Sequence, residues 1–390
     1  MSSPILIATI MRPEGDTGVQ THFRSFMTYL NQTGRQSELI TPYCAPLWQV
    51  YPVFGLRKLV DLFNRELGVW WYRHWHAYFL QQALTRRLQT GDACVVYTQC
   101  PLSAHAALSA RVSENQRVVM VTHFNISQAD EWAGKGLIPN GGRLYRTIQA
   151  FEAEVLPQLD GLVFVSDFMQ RELLSRIPAI TQVAAAVVPN FLADPGLPEV
   201  QTAVADLINI GTLEARKNQQ YLLEIVAALR ELGQPMTLTL VGDGPDRKAL
   251  EDKARVLKID ELVRFAGYHG NAAEQIGQHR AYIHVATLES FGITLIEAMA
   301  RGRPVFAAPV GGVPEVLGGG AAGLALPLND AREAARIVAN AMSDPGWMAA
   351  AGRAARERFL GEYESGVAAR RLTQFLENES GKRVQAEGGE

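Results

Sequence analysis

Cysteine is scarce in this chain of 390 residues. The three cysteines, Cys44, Cys94 and Cys100, are odd in number and form no Cys-x-x-Cys pair. Disulfide-stapled domains and structural zinc sites use several cysteines at short, regular spacing. The sequence therefore excludes both kinds of framework, and a reducing, cytoplasmic compartment is expected.

Long apolar runs and an excess of one charge are also missing. No run approaches the roughly 18 apolar residues of a membrane span, and the opening run at residues 5–10 lacks the length and basic leader of a secretory signal. The chain has 37 Lys and Arg against 40 Asp and Glu, a net charge of −3. Proteins that bind nucleic acid usually carry a basic surplus. We expect a soluble or peripheral protein without a nucleic-acid partner.

Short apolar runs alternate with helical patterns along the whole chain. Runs of this length are typical of buried parallel strands. The predicted strands cover residues 5–10, 93–97, 118–121, 162–165, 207–210, 237–241, 282–285 and 305–308. The alternation predicts an α/β protein with parallel sheets covered on both faces, in which ligands bind at the carboxyl ends of the strands.

A turn-rich segment at residues 188–198 contains three prolines and a glycine, and the alternation resumes near Val204. We expect two Rossmann-like, doubly wound domains that face each other across a cleft. The predicted boundaries are residues 1–190, a linker at 191–203, a second domain at 204–362, a returning helix at 363–378 and a flexible tail at 379–390.

The most informative stretch, residues 284–304, predicts a strand, a loop and a helix. Gly292 permits a close turn into the helix, and Gly302 can end it in the left-handed conformation. Amides at a helix start bind anions. Glu289 stands just before that start and Glu297 lies within the helix, where carboxylates suit sugar hydroxyls. From the residues alone, two merely solvated glutamates are an equal alternative.

Phe291-Gly292 lies between Glu289 and Glu297, and Glu297 begins the run Glu-Ala-Met-Ala-x-Gly-x-Pro. This pattern resembles the donor-site signature of family 4 glycosyltransferases. Three further segments resemble loops of that family in the same order: residues 211–218 its diphosphate-binding loop, residues 241–245 its next strand-end loop, and residues 311–315 the loop beyond the acidic motif. The resemblance covers most of residues 204–378. It is weaker in the first half, where Thr17-Gly18-Val19-Gln20 occupies the place of a Gly-Gly loop.

The resemblance implies a GT-B fold and a retaining, metal-independent transfer of a hexose-type sugar without a cofactor. The donor would be a UDP-, GDP- or dTDP-sugar, and the acceptor a glycan or lipid-linked glycan in polysaccharide or glycoconjugate assembly. The first domain would bind the acceptor and the second the nucleotide sugar. The enzyme would act in the cytoplasm or at the inner face of the membrane.

The same resemblance assigns roles to the second-half residues. Arg216 and Lys217 would neutralise the leaving diphosphate, as a fork donor and a point charge. Glu289 would hold hydroxyls of the transferred sugar. The remaining donor contacts implied here are the backbone amides of Phe291 and Gly292 and the ribose-binding carboxylate of Glu297.

Four further positions are weaker candidates. His123 falls at the family's histidine, after the strand at 118–121, and would contact the sugar or the developing charge. Gly18 and Val19 would turn amides toward the diphosphate or acceptor, and Tyr268, after a strand at 263–266, would contact the base. The alternatives are a structural histidine, an ordinary strand-to-helix turn and a surface tyrosine.

Residues 54–88 combine six Arg or Lys with two acidic residues, a net charge of +4, and are rich in aromatic residues. Trp71, Trp75, Tyr78 and Phe79 share one face of the predicted helix. A basic aromatic helix suits an anionic membrane surface or the lipid end of an acceptor. Packing of this face in the core is the alternative.

Other functions explain parts of the sequence. Gly242-Asp-Gly244 follows a strand like a dinucleotide fingerprint, but Arg247 stands where the third glycine belongs, which disfavours an oxidoreductase. A nucleotide-sugar epimerase, a sugar phosphorylase or a non-catalytic sugar-nucleotide-binding subunit would share the GT-B architecture. The complete set of Arg216, Lys217, Glu289 and Glu297 favours a transferase.

Overall fold

The computed structural model describes residues 3–15, 17–124, 126–197 and 204–378. The chain divides into two compact units. The first reaches to Pro189 and includes the chain from Ala368 on, and the second comprises Asn190–Val367. The predicted tail at 379–390 and residues 198–203 of the predicted linker lie outside the described residues.

The first unit contains a six-stranded parallel sheet. Its strands are β1 (Ile5–Ala8), β2 (Ser37–Ile40), β3 (Cys94–Thr98), β4 (Gln116–Thr122), β5 (Gly161–Phe164) and β6 (Ala185–Val187). They lie in the order β2-β1-β3-β4-β5-β6. All residues of β1, β3 and β5 are buried, as expected for strands that have helices on both faces.

The helices of this unit connect successive strands. They are α1 (Gly18–Gln32), α2 (Leu47–Phe63), α3 (Arg65–Leu88), α4 (Pro101–Ala110), α5 (Gln128–Gly134), α6 (Arg143–Val155) and α7 (Asp167–Arg176). Because all strands are parallel, their carboxyl ends meet at one edge of the sheet. Gly18 follows β1 and His123 follows β4 at this edge.

The second unit repeats the architecture. Its strands are β7 (Ala205–Ile210), β8 (Leu238–Val241), β9 (Val263–Gly267), β10 (His279–His284), β11 (Val305–Ala307) and β12 (Gly323–Ala325), in the order β12-β11-β10-β7-β8-β9. The helices are α8 (Gln219–Glu231), α9 (Arg247–Val256), α10 (Ile293–Ala300), α11 (Val313–Leu317), α12 (Ala331–Met342) and α13 (Pro345–Arg358). The last helix, α14 (Ser365–Glu377), belongs mostly to the first unit. Strand β10 pairs with β7, which brings their following loops together.

The predicted α/β class with parallel sheets is confirmed, and each predicted strand overlaps an observed one. Strands β2, β6 and β12 were not predicted. All three lie at sheet edges and contain only three or four residues. Edge strands this short carry little apolar pattern, and β2 includes Ser37 and Glu38.

Residues 54–88, predicted as a basic aromatic helix, belong to two helices that meet at Asn64. Helix α2 ends at Phe63, and Asn64 adopts an extended conformation and caps α3 by accepting a hydrogen bond from the Leu67 amide over 3.1 Å. An asparagine is a strong N-cap, so the chain restarts its helix there.

The predicted aromatic face of that segment mostly packs against the protein. Phe79 lies in a cluster with Val50, against which Trp75 and Phe54 pack. Trp71 donates its indole N–H to the carbonyl of Val53 over 2.9 Å. The core alternative is therefore correct for these side chains. No helix within the described residues has the length and apolar character needed to cross a membrane.

Candidate functional site

The loops after β7 and β8 are packed backbone to backbone. Gly211 donates its amide to the Val241 carbonyl over 3.0 Å, and Leu213 donates to the Asp243 carbonyl over 3.0 Å. A Cβ atom at Gly242 would overlap the Gly211 carbonyl, and φ at Gly242 is 137°. A glycine is required here, and the close packing fixes the loop that carries the two predicted cations.

Arg216 and Lys217 lie on a single helical turn, Ala215–Lys217, directly after that loop. Asn218 ends the turn in the left-handed conformation, with φ at 56°. The Arg216 carbonyl accepts the Thr287 amide over 2.9 Å. This bond joins the loop after β7 to the loop after β10.

The two loops bring opposite charges together. Lys217 Nζ lies 2.6 Å from Glu289 Oε2, and the nearest guanidinium nitrogen of Arg216 lies 3.7 Å from the same oxygen. Arg216 also donates to Glu214 over 3.0 Å and to the Leu288 carbonyl over 3.2 Å. The structure therefore places three residues that are predicted to act on one ligand in direct proximity.

Glu289 is ionised although it is buried, with 8% of its surface exposed. Burial alone would raise its pKa, but the ammonium of Lys217, together with His284 and Arg216, outweighs burial and holds the pKa of Glu289 well below its usual range. Its own carbonyl accepts the Gly312 amide over 2.9 Å, so the backbone is also fixed. The alternative of a solvated Glu289 is wrong.

Helix α10 begins immediately after this carboxylate. Gly292 precedes the helix with φ at 85° and ψ at 75°, and no side chain caps the helix start. The first amides of a helix have no intrahelical carbonyl to bind, so they can donate to an anion. The ring of Phe291 is buried and packs edge-on against Tyr363 at 5.7 Å, so a predicted ligand contact of this residue is left to its backbone.

Glu297 lies in α10 and is part-buried. Burial raises the pKa of Glu297 to about 7, with the charge of Arg301 acting in the opposite direction. A carboxyl group with this pKa changes its charge near neutral pH. It can hold a diol as a carboxylate or donate one hydrogen bond when protonated.

Tyr268 lies farther along the same edge of the sheet. It follows β9 and is 66% exposed. Strand β9 is separated from β7 by β8, which corresponds to about 10 Å at the usual strand spacing. Tyr268 is therefore not brought into the Lys217–Glu289 cluster, but it lies on the same side of the sheet.

The remaining candidates, Gly18, Val19 and His123, belong to the first unit. Thr17 caps α1 and accepts the Gln20 amide over 3.4 Å. The amides of Gly18 and Val19 are the first two of α1. The first amides of a helix have no intrahelical carbonyl to bind.

His123 sits in a buried polar cluster that the sequence did not predict. Its Nε2 lies 3.1 Å from Gln99 Oε1, and its ring packs edge-on against His22 with the centroids 4.6 Å apart. His22 Nε2 lies 3.0 Å from the hydroxyl of Tyr97. Burial, and then the charge of His22, lower the pKa of His123 well below its usual value. The imidazole is therefore neutral at physiological pH.

Another neighbour was missed in the second unit. His284, the last residue of β10, is 1% exposed, and its Nε2 lies 3.5 Å from Glu289 Oε2. The sequence shows this histidine at the end of a predicted strand, five residues before Glu289, and that position could have indicated a neighbour of the carboxylate. Its contact with the carboxylate depends on the loop conformation, which spacing does not specify.

Two family models match the chain, one in each half. The model described as Glycosyltransferase Family 4 matches residues 17–192, and the model described as Glycosyl transferases group 1 matches residues 200–358. Among curated proteins, glycogen synthase of Mycobacterium tuberculosis is 25% identical over 312 residues, covering 77% of this chain and 73% of the relative. The GDP-mannose-dependent alpha-(1-6)-phosphatidylinositol monomannoside mannosyltransferase of Mycolicibacterium smegmatis is 30% identical over 188 residues, covering 45% and 48%.

Solved structures share the fold at low sequence identity. Sucrose-phosphate synthase of Thermosynechococcus elongatus superposes with a TM-score of 0.74 at 18% identity, covering 95% of this chain and 98% of the other. Anabaena HepE in complex with UDP gives a TM-score of 0.66 at 18% identity, covering 96% and 99%. TarM of S. aureus gives 0.63 at 14% identity, and there the match spans 77% of this chain and 59% of the longer TarM chain. The predicted GT-B fold of two Rossmann-like domains is confirmed.

Proposed function

The chain belongs to glycosyltransferase family 4, and we propose that it moves a hexose-type sugar from a nucleoside-diphosphate sugar to a glycan acceptor with retention of anomeric configuration. The protein is a glycosyltransferase that uses a sugar-nucleotide donor. We assign the acceptor to residues 1–190 and the donor to residues 204–362.

The observation that carries the proposal is the cluster of Lys217, Arg216 and Glu289 beside the start of α10. A departing nucleoside diphosphate develops negative charge, which two cations and free helix amides can stabilise. An ionised carboxylate next to them can accept two hydrogen bonds from sugar hydroxyls. The cluster thus contains binding groups for both halves of a nucleotide sugar.

We assign each donor group to a part of the ligand. Arg216 and Lys217 bind the diphosphate, the amides of Phe291 and Gly292 support it, and Glu289 holds the sugar. Glu297 binds the ribose, Tyr268 contacts the base, and His123 contacts the sugar or the developing charge. The amides of Gly18 and Val19 bind the diphosphate or the acceptor. Because Arg216 and Lys217 supply positive charge to the leaving group, the transfer requires no divalent metal.

In the proposed reaction the bond between C1 of the sugar and the phosphate oxygen breaks. The acceptor oxygen forms its bond to C1 on the same face, and the acceptor proton passes to the departing phosphate. The protein then needs no nucleophile of its own. Its contribution is to hold the donor and stabilise the diphosphate.

We propose that the acceptor is a lipid-linked glycan, used at an anionic membrane surface that residues 54–88 approach from the cytoplasm. A relative named for phosphatidylinositol monomannoside supports a membrane-borne acceptor. The same name includes GDP-mannose, and we compare GDP-, UDP- and dTDP-sugars as donors. The net charge of +4 over residues 54–88 also supports it.

The test combines a donor screen with product analysis. Thermal shift against UDP-, GDP- and dTDP-sugars selects the donor, because a ligand at 100 times its Kd stabilises a protein by about 2.7 kcal/mol. Labelled donor should then yield a glycan with the anomeric configuration of the donor, and a chelator should not slow the transfer. An inverted product would contradict retention. Phosphorolysis, an epimerised nucleotide sugar, or binding without transfer to any tested glycan would contradict the transferase proposal itself.

A further inference from the structure

Helix α2 exposes large apolar side chains to solvent along its outer side. Trp48 is 75% exposed, Leu62 82% and Phe63 90%, and Tyr51 and Leu59 are more than half exposed. A surface helix ordinarily turns polar residues outward. A contiguous apolar surface of this kind marks an interaction site.

These side chains form one surface. Trp48, Tyr51, Leu59 and Leu62 follow one another at spacings of three, eight and three residues, which keeps them on one helical face. Leu67 and Trp70, on the first turns of α3, are also exposed. We call the set Trp48, Tyr51, Leu59, Leu62, Phe63, Leu67 and Trp70 the outer apolar face.

The inner side of α2 is already occupied. Val50 is buried with Phe79, and Val53 and Phe54 pack against the same cluster. Helix α2 is therefore apolar on two sides, and within the described part of the chain only the inner side is covered. The outer apolar face is left for an external partner.

Charge around this face favours an anionic partner. Lys58 and Arg65 are exposed beside it. Of the two nearby acidic residues, Asp61 pairs with Arg57 over 3.3 Å, and Glu66 accepts the Leu144 amide over 3.3 Å. Arg57, Lys58 and Arg65 outnumber Asp61 and Glu66 here, so this part of the surface carries a net positive charge.

The shape of the face favours a lipid surface over a second copy of the chain. Helix α2 has 17 residues, so its outer side is a strip about 26 Å long and only one helix, about 10 Å, wide. A stable protein–protein interface buries about 800 Å² on each partner. A helix lying in a membrane interface needs no such area or shape match, because its apolar side chains simply enter the boundary between headgroups and acyl chains.

We propose that the outer apolar face of α2 and early α3 lies on an anionic membrane surface, with Leu62 and Phe63 inserted and Lys58 and Arg65 at the headgroups. This deepens the membrane part of the proposed function and does not depend on the donor chemistry. It also replaces the predicted membrane face, because Trp71, Trp75 and Phe79 pack against the protein.

The test is flotation of the full chain with vesicles of phosphatidylcholine containing phosphatidylglycerol, compared with phosphatidylcholine alone. Phe63→Asp should reduce the partition coefficient about tenfold or more, because a charge replaces an inserted ring. Lys58→Gln with Arg65→Gln should reduce binding at low salt and remove much of its salt dependence. Val112→Asp is the matched control, since Val112 is 60% exposed in the same unit but lies outside this face.

Each outcome decides the proposal. Strong flotation of wild type and Val112→Asp with loss in Phe63→Asp supports it, provided that melting temperatures agree. Wild type that stays unbound from anionic vesicles at low salt, or Phe63→Asp that floats as well as wild type, overturns it. A dimer in gel filtration that Phe63→Asp dissociates, without vesicle binding, would assign the face to a second copy. Donor-induced thermal shift without vesicles reports on the donor site separately.

Discussion

Lys217 Nζ lies 2.6 Å from Glu289 Oε2, although the two residues are 72 positions apart in the sequence. The contact exists because β10 pairs with β7, so the loops that follow the two strands meet. Lys217, which we assign to the diphosphate, and Glu289, which we assign to the sugar, neutralise each other in this structure. A bound diphosphate would compete for Lys217 and release Glu289 toward the sugar.

Lys217→Ala should weaken binding of the donor's nucleoside diphosphate by about 10- to 100-fold, because a charge-assisted hydrogen bond contributes about 1.5–3 kcal/mol. Calorimetric titration with the nucleoside diphosphate measures this. Lys248→Ala is the control, since Lys248 is exposed in the same unit. Equal affinities in wild type and Lys217→Ala would remove Lys217 from the diphosphate site.

The acid stability of the fold should depend on Glu289. Its pKa is depressed in the folded protein, so in acid the unfolded chain binds more protons than the native chain, and stability rises with pH. The contribution is present above the usual pKa of about 4.3 and is lost as pH falls below it. Glu289→Gln should flatten the dependence of unfolding free energy on pH between about pH 5 and 3. An unchanged slope in urea titrations across this range would show that Lys217 does not hold the carboxylate ionised.

Glu297 should make donor affinity depend on pH near neutrality. Because burial raises its pKa to about 7, the carboxylate form that accepts two ribose hydrogen bonds becomes populated as pH rises through that value. Donor affinity should increase by at most tenfold per pH unit there, and Glu297→Gln should abolish the increase. The raised pKa has the opposite effect on stability, which should fall as pH rises from about 4.3 to 7 in wild type and less in the variant. A pH-independent Kd in wild type would contradict the ribose assignment.

His123 should act as a neutral imidazole. Its pKa lies well below the usual value, so its protonation should leave no acidic limb in the rate profile of wild type above about pH 6. Gln99→Glu places a carboxylate next to Nε2 and should raise the pKa of His123 enough to introduce such a limb. His123→Ala should slow transfer by about 10- to 100-fold without a comparable change in melting temperature. Full activity in His123→Ala would assign the residue to structure.

Much of the second unit follows from its sequence. The strand, loop and helix over residues 284–304 were predicted, and Gly302 has the expected left-handed conformation, with φ at 63°. The family resemblance assigned Glu289 and Lys217 to one ligand, and they can converge because both follow strands of one parallel sheet. Their separation of 2.6 Å could not be predicted, because it depends on which strands are neighbours.

Side-chain surroundings were harder to predict than the elements. The Gln99–His123 and His284–Glu289 contacts join residues from different strands or loops, and no spacing rule describes them. Helix α2 is apolar on both sides, so periodicity could not indicate that Val50 faces inward and Leu62 outward. The break at Asn64 depends on one capping hydrogen bond within a pattern that otherwise favours a continuous helix.

The most direct test of the account is transfer of a radiolabelled sugar by wild type, Lys217→Ala and Glu289→Gln, using the donor that thermal shift selects. Each substitution should reduce turnover on the order of 100-fold in protein that still folds, because each removes a group that acts on the donor. Each also breaks the buried ion pair, so the melting temperature should fall and turnover is compared below it. Lys248→Ala should retain wild-type turnover. Full activity in both Lys217→Ala and Glu289→Gln would contradict the claim that this ion pair forms the donor site.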